Sequence, residues 1–262
     1  MPETTATTSS ALVERAILFE RETLEQAASR VEPHPLGRWI YSDEHPKLWG
    51  LNQLYVEGPQ PALTADELIA ELDRGLAHTG HRRAIVTHDG TGRRIEADMR
   101  AAGYVHVPMM VMLLDGEPPE PPADVVRETD IETMRVLERR LTDDLGEIPE
   151  ADRDDVIAGF MHQRSVPGTR HYAGVLDGED VCATTLYCHS GVGQPEHVIT
   201  LSSARGRGIA AAVVSRATRD AVAAGCDLVF MVCDSALGPF GLYADLGYRA
   251  AGRFWTFTLP AE

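Results

Sequence analysis

The stretch Leu201-Ser202-Ser203-Ala204-Arg205-Gly206-Arg207-Gly208-Ile209-Ala210 decides how this sequence is interpreted. It joins a predicted strand, Glu196 to Ser202, to a predicted helix that runs to Ala224. Glycines there allow a tight turn and a close approach of the backbone to a ligand. The N–H groups of the helix's first turn then point at one spot, where an anion binds. Because Arg205 and Arg207 add positive charge, the stretch predicts a phosphate or pyrophosphate site.

Two common phosphate-binding motifs do not fit this stretch. It lacks the third glycine of the dinucleotide fingerprint and the Gly-Lys-Ser/Thr of the Walker loop. A plain helix start after a glycine-rich turn, with no ligand, stays open as the alternative.

The spacing Arg205-x-x-Gly208-x-Ala210 resembles the Gln/Arg-x-x-Gly-x-Gly/Ala signature of the GNAT superfamily of acyl-CoA-dependent N-acetyltransferases. The resemblance implies acetyl-CoA, or another acyl-CoA, as cosubstrate. It also implies that the strand before the loop separates from its neighbour and pairs with the pantetheine arm. The cofactor-binding residues implied in this way are Leu201, Arg205, Gly206, Arg207, Gly208, Ile209 and Ala210.

A second stretch, Gly241-Leu242-Tyr243-Ala244-Asp245-Leu246-Gly247-Tyr248, resembles the Leu-Tyr-x-x-x-Gly-Phe/Tyr element of the same superfamily. The resemblance implies that Tyr243 is the general acid that protonates the departing CoA thiolate. A phenol within reach can perform that step. The alternative for Tyr243 is an aromatic residue at the edge of the core.

The general base is left open between Glu196 and His197. An amine must be neutral to attack a thioester, and a free amine is mostly protonated at pH 7, so a base is required. The resemblance points to the strand before the glycine-rich loop. Counting by twos places His197 on the face of Ile199 and Leu201. Further candidates to line the acceptor site, on neighbouring strands, are His171, Tyr187 and His189.

The chain divides at a proline-rich and acidic linker, residues 115–122, which can neither continue a helix nor enter a sheet interior. We expect a disordered arm over residues 1–10, a smaller and truncated GNAT-like domain over 11–114, and a catalytic GNAT domain over 123–262. Strands alternate with helices, which predicts an α/β (α+β) fold with a mixed central sheet flanked by helices.

The two halves share a pattern that suggests duplication. Gly80 precedes Asp89 by the same nine residues that separate Gly225 from Asp234, and each half then has a Gly-Tyr pair before its last strand. The loop position of the first half, residues 57–64, holds two prolines and no arginine, and Met99 stands where Tyr243 stands in the second half. We therefore expect no productive acyl-CoA binding by the N-terminal half.

The composition limits the classes of partner with which the protein is compatible. The formal net charge of −16 disfavours nucleic acid and anionic membranes and suits a cationic substrate such as a protonated amine. A generally acidic surface that carries no information on the substrate stays open as the alternative. The four cysteines lie in apolar contexts typical of buried, reduced thiols. No stretch approaches the roughly 18 apolar residues of a membrane span, and no signal peptide is recognisable. We expect a cytoplasmic monomer or homodimer without a metal.

Three functions are compatible with these features. The first is an N-acyltransferase that acts on an amine of a small molecule or of a protein. The second is a non-catalytic protein that binds or senses acyl-CoA. The third, a structural module, leaves the glycine- and arginine-rich loop unexplained. Tyr243 favours the first.

Overall fold

The computed structural model describes residues 3–236 and 238–260. Within them, the α-helices are α1 (Glu3–Ala27), α2 (Ala65–Gly75), α3 (Asp89–Ala101), α4 (Ile131–Leu145), α5 (Glu150–Gln163), α6 (Ile209–Ala223) and α7 (Phe240–Asp245). The strands are β1 (Arg30–His34), β2 (Gly37–Tyr41), β3 (Gln53–Val56), β4 (Arg82–Val86), β5 (Val105–Leu114), β6 (Val126–Thr129), β7 (Thr169–Leu176), β8 (Glu179–His189), β9 (Val192–Thr200), β10 (Leu228–Asp234) and β11 (Tyr248–Leu259). Of the described helices, none combines the length and the apolar character that crossing a membrane requires.

One order of elements, strand–helix–strand–helix–strand, occurs twice. It runs as β3-α2-β4-α3-β5 and again as β9-α6-β10-α7-β11. In both copies the first two strands are parallel. A glycine with φ of +89° precedes the last strand each time, at Gly103 and at Gly247. The element order of the predicted repeat is confirmed.

The chain forms two compact units, which we call the N-unit and the C-unit. The N-unit consists mainly of Val13–Val111 and includes the second part of β11 from Ala251. The C-unit consists mainly of Met112–Val232 and Pro239–Ala250. Strand β11 therefore contributes to both units, whereas a cut at the linker alone would assign all of it to the second.

The N-unit has strands in the order β1-β2-β3-β4-β11-β5. Leucines of α2, among them Leu68 and Leu72, pack in its core with Trp39 and Trp255. The hairpin β1–β2 has no counterpart among the elements predicted from the sequence, and its first strand contains Pro33. Because β1 is an edge strand, it tolerates a proline that cannot donate to a ladder.

The predicted disordered arm over residues 1–10 needs correction. Helix α1 begins at Glu3, so residues 3–10 are helical, and residues 1 and 2 lie outside the described part of the chain. The physical reason is that no glycine or proline interrupts the sequence from Glu3 to Ala27. The Thr- and Ser-rich run is therefore the first part of α1.

The C-unit has strands in the order β10-β9-β8-β7-β6. Two-residue turns connect β7 to β8 and β8 to β9, and both have positive φ at their two central residues, Asp177-Gly178 and Ser190-Gly191. Such turns match the twist of a hairpin. An Asp-Gly pair between two strands, such as Asp177-Gly178, is a local sequence signal for a turn of this kind. The second turn places the start of β9 at Val192, four residues before the predicted start at Glu196.

Helices α6 and α4 both contact strands β7 and β8. A side chain at Gly174 would lie 2.4 Å from Ile209 of α6 and 2.9 Å from Cys182 of β8, so Cys182 faces α6. Residues one position along each strand face the other way. His171 is one of them, and its pKa is lowered in part by Arg164, the partner of Glu138 on α4. That second face carries the polar residues of the candidate site.

Candidate active site

The glycine-rich loop connects β9 to α6 through one 3-10 turn, Ser202–Ala204. Gly206 and Gly208 have φ of +74° and +78°, a region that side chains rarely adopt. Apart from its chain neighbours, no heavy atom of the described residues lies within 4 Å of the position that a Cβ would occupy at either glycine. Backbone conformation, and not crowding by the protein, is therefore what requires glycine at these positions.

The start of α6 is open to an anion. Its N-cap residue, Gly208, offers no side-chain cap, and its first turn holds no acidic residue. The first N–H groups of a helix have no partner within the helix, so those of Ile209 and Ala210 point outward. Arg205 and Arg207 are both exposed beside them.

The matching helix of the N-unit is closed by its own residues. Thr64 caps α2 by accepting a hydrogen bond from the backbone N–H of Glu67, and the Glu67 carboxylate accepts one from the backbone N–H of Thr64. This capping box lowers the pKa of Glu67. With Asp66 also in the first turn, the start of α2 is negatively charged. These features support the proposal that the N-terminal half binds no acyl-CoA. The residue equivalent to Tyr243, Met99, is fully buried.

Asp144, near the end of α4, holds the turn before the loop. Its carboxylate accepts hydrogen bonds from the backbone N–H of Ser202 at 2.7 Å and from the Ser202 hydroxyl at 2.8 Å. The backbone hydrogen bond is the main reason that the pKa of Asp144 lies below its ordinary value. Sequence reasoning missed this contact, because 58 residues separate the two partners.

Strands β9 and β10 pair only at their beginnings. Val192 pairs with Leu228 and Gly193 with Val229, while β9 stays paired with β8 as far as Thr200. Within the described residues, β9 therefore separates from β10 after Gly193. The N–H of Leu201 donates to the carbonyl oxygen of Val181 at 2.9 Å. The separation is the feature that the resemblance implies for a strand that receives a pantetheine arm.

A β-bulge in β9 brings the two candidate bases onto one face. From Ala183 to Thr185 strand β8 advances two residues, while β9 uses three between its matching partners, Glu196 and Ile199. The extra residue is His197, whose φ is +57°. Simple alternation would place Glu196 and Ile199 on opposite faces of the sheet. The extra residue shifts the register, so that Glu196 lies on the face of Ile199, which His197 shares.

The bulge is supported by hydrogen bonds. The Thr184 hydroxyl donates to the carbonyl oxygen of Glu196 at 3.0 Å, and the Gln194 amide donates to the Glu196 carboxylate at 2.9 Å. The Tyr187 hydroxyl lies 3.3 Å from Nε2 of His197. On neighbouring β7, His171 lies 3.4 Å from the Thr185 hydroxyl. The remaining candidate, His189, lies instead at the turn that ends β8.

A buried ion pair lies among these groups. Arg164, directly after α5, donates to the Glu138 carboxylate of α4 at 2.7 Å, with side chains 1% and 2% exposed. Among the described residues, Nε of Arg164 has no hydrogen-bond partner. Sequence reasoning missed this pair. A signal existed, because Glu138 interrupts the apolar stripe that Met134, Leu137 and Leu141 form on α4.

Burial sets the ionisation of the candidate bases. Desolvation raises the pKa of Glu196 to about 7, against a smaller lowering by the Gln194 amide. Desolvation and then the Arg164 charge hold the pKa of His197 well below its ordinary value. The same two causes lower the pKa of His171 to about 4. At neutral pH the two histidines are therefore uncharged, and Glu196 is near the midpoint of its titration.

Tyr243 lies on α7 and is 5% exposed. Its ring packs edge-on against the ring of Tyr248, with centroids 6.3 Å apart. The Tyr248 hydroxyl in turn lies 2.6 Å from the Thr218 hydroxyl of α6. The Tyr243–Tyr248 pair thus connects α7 to the helix that carries the glycine-rich loop at its start. Among the described residues, no group of His, Cys, Asp or Glu side chains is arranged to hold a metal ion.

Solved structures share this fold. A GCN5-related N-acetyltransferase from Kribbella flavida aligns at 18% identity and a TM-score of 0.56, over 93% of this chain and 96% of its own. A functionally unknown conserved protein from Staphylococcus epidermidis aligns at 10% identity and a TM-score of 0.63, over 86% and 94%. A GCN5-related N-acetyltransferase from Sphaerobacter thermophilus aligns at 19% identity and a TM-score of 0.50, over 68% and 59%.

No protein-family model and no curated protein matches the chain. At these identities the structural likeness establishes the fold. The chain has a mixed α/β fold of the GNAT type, and the fold predicted from its two motifs is confirmed.

Proposed function

We propose that this protein is an N-acyltransferase that moves an acetyl or other short acyl group from acyl-CoA to an amine of a small molecule or protein. The observation that carries the proposal is the open start of α6, which follows two left-handed glycines and two exposed arginines. In a chain with a net charge of −16, such a site suits a pyrophosphate. The separation of β9 from β10 supports room for the rest of an acyl-CoA.

Each residue in the proposed site has a chemical role. The first-turn N–H groups of α6, with Arg205 and Arg207, bind the pyrophosphate of acyl-CoA. Glu196 accepts a proton from the ammonium group of the acceptor, so that the neutral amine can attack the thioester carbon. Tyr243 donates its hydroxyl proton to the thiolate that leaves.

We propose Glu196 as the base in preference to His197. A general base is most effective when its pKa lies near the working pH. The pKa of Glu196 is about 7, whereas that of His197 is held well below its ordinary value. His197 stays neutral and positions the site through the Tyr187 hydroxyl, 3.3 Å away.

The test is release of CoA thiol from acetyl-CoA across a panel of primary amines, for the wild type and Tyr243→Phe. We expect the variant to lose turnover while its affinity for acetyl-CoA changes little. Tyr248→Phe is the matched control, because it removes a hydroxyl group from the other ring of the same aromatic pair. The hydroxyl of Tyr248 is hydrogen-bonded to that of Thr218. Equal turnover for Tyr243→Phe and wild type would refute the role of Tyr243.

A non-catalytic acyl-CoA-binding protein is the second candidate, and the same open start of α6 favours it. The two functions separate on turnover. Tight acetyl-CoA binding without CoA release on any amine of the panel would favour the second candidate.

A further inference from the structure

Two cysteine thiols of the C-unit lie next to each other. Sγ of Cys188, near the end of β8, is 3.1 Å from Sγ of Cys226, which lies between α6 and β10. A disulfide bond is about 2.05 Å long, so the two sulfur atoms are separated by about 1 Å more than the bond requires. Both residues are half-buried. From the sequence we expect four buried thiols, and for these two residues that expectation is wrong.

The backbone holds both cysteines in place. The N–H of Cys188 donates to the carbonyl oxygen of Gly168 at 3.2 Å, and the N–H of Cys226 donates to that of Ala221 at 3.1 Å. The next residue, Asp227, donates to the carbonyl oxygen of Gly191 in the turn between β8 and β9 at 2.9 Å. The closeness of the thiols is therefore a property of the β8–β9 hairpin and the end of α6, and not of one loop alone.

Gly193 leaves the space through which the two side chains meet. It lies opposite Cys188 in the β8–β9 ladder, so a side chain there would share the face of Cys188. That side chain would begin 2.6 Å from Cβ of Ala221 and 3.5 Å from Sγ of Cys226. Because glycine has no side chain, Cys188 can reach across β9 to Cys226.

The other two cysteines differ. Cys182 and Cys233 are 0% and 5% exposed. Burial raises the pKa of the Cys182 thiol to about 11, which suppresses the reactive thiolate. The chain thus holds one accessible pair of adjacent thiols and two thiols that serve as internal references.

We infer that Cys188 and Cys226 are a site of reversible oxidation, at which a peroxide converts the two thiols into an intramolecular disulfide. One thiolate attacks a peroxide oxygen, which gives a sulfenic acid and, for hydrogen peroxide, one water. The second thiol attacks the sulfenic sulfur, and the S–S bond forms as a second water leaves. The two thiols lose two electrons and two protons, and the peroxide gains them. A small dithiol reverses the reaction by exchange.

The test is brief treatment of the purified full-length protein with hydrogen peroxide, followed by alkylation under denaturing conditions and mass spectrometry. The reduced protein should take up one alkyl group at each of its four cysteines. The oxidised protein should lose the mass of two hydrogen atoms and be alkylated only at Cys182 and Cys233. A digest should contain one linked peptide pair, Cys188 with Cys226, that a dithiol separates.

Variants distinguish this pair from general oxidation. Cys188→Ser and Cys226→Ser should each abolish the linked species, whereas Cys233→Ala should retain it. The alkylation pattern of the wild type tests the inference without any variant, so the test remains valid if a variant fails to fold. A disulfide between chains, a different pairing, or oxidation to sulfinic acid without a disulfide would overturn the inference.

Discussion

Replacement of Glu196 by glutamine should stabilise the protein at high pH. The folded state raises the pKa of Glu196 from 4.5 to about 7, so it retains a proton that the unfolded chain releases. The sign follows from proton binding: between these two pH values the folded state binds more protons, and its stability falls as pH rises. The carboxylate at position 196 therefore costs stability above about pH 7, and glutamine removes that cost.

The size of the effect follows from the same values. A shift from 4.5 to about 7 corresponds to about 3 kcal/mol at 1.36 kcal/mol per unit. The side-chain oxygen of glutamine can still accept the hydrogen bond that Gln194 donates at 2.9 Å. Glu196→Gln should therefore match the wild type near pH 4 and exceed it by up to about 3 kcal/mol near pH 8.5.

The assay is urea unfolding of the wild type and Glu196→Gln at a series of pH values, with the exposed Glu147→Gln as a control for the loss of one surface charge. The free-energy difference between wild type and Glu196→Gln should grow between pH 4.5 and 7. A constant difference across this range would refute the desolvated state of Glu196. It would also remove the argument that Glu196 is the base.

Three other perturbations follow from the site. Glu138→Gln leaves the Arg164 charge buried without its partner and should cost about 3–5 kcal/mol in urea unfolding, while the Glu138→Leu/Arg164→Met double variant should recover much of that loss; a double variant less stable than the single one would contradict this. Gly208→Ala forces a side chain to φ +78° and should cost about 1–2 kcal/mol, whereas Gly241→Ala, where the Cβ position is also open and φ is not positive, should be tolerated; equal urea midpoints would contradict the strain argument. Asp144→Ala removes the carboxylate that accepts the hydrogen bonds of Ser202. It should weaken acetyl-CoA binding several-fold in calorimetry with little change in stability. Unchanged affinity would contradict the role of this turn in shaping the ligand site.

Local signals in the sequence predict much of the fold. Each of these signals specifies its geometry within a few residues, and the structure contains all of them: the capping box at Thr64 and Glu67, the Asp177-Gly178 turn and the turns at the two Gly-Tyr pairs. The β1–β2 hairpin was not predicted, because a proline is compatible with a strand only at the edge of a sheet. Whether a strand lies at an edge is a property of the whole sheet and not of the local sequence.

The site was only partly predictable for the same reason. The glycine-rich loop is one continuous stretch, so its left-handed glycines could be expected from the sequence. The bulge at His197, by contrast, depends on the register between β8 and β9, and alternation alone misplaces Glu196. The Glu138–Arg164 pair joins residues 26 positions apart in the chain, so the carboxylate of Glu138 within an apolar stripe indicates a buried partner but does not identify it.

The most direct test of the account is isothermal titration of the full chain with acetyl-CoA and with free CoA. We expect one site per chain, because the start of α6 is open and that of α2 is closed by its capping box. Gly208→Glu should abolish binding by placing a carboxylate where the pyrophosphate would lie. Two sites would contradict the assignment of the N-terminal half, and no binding of either ligand would contradict the acyltransferase proposal itself.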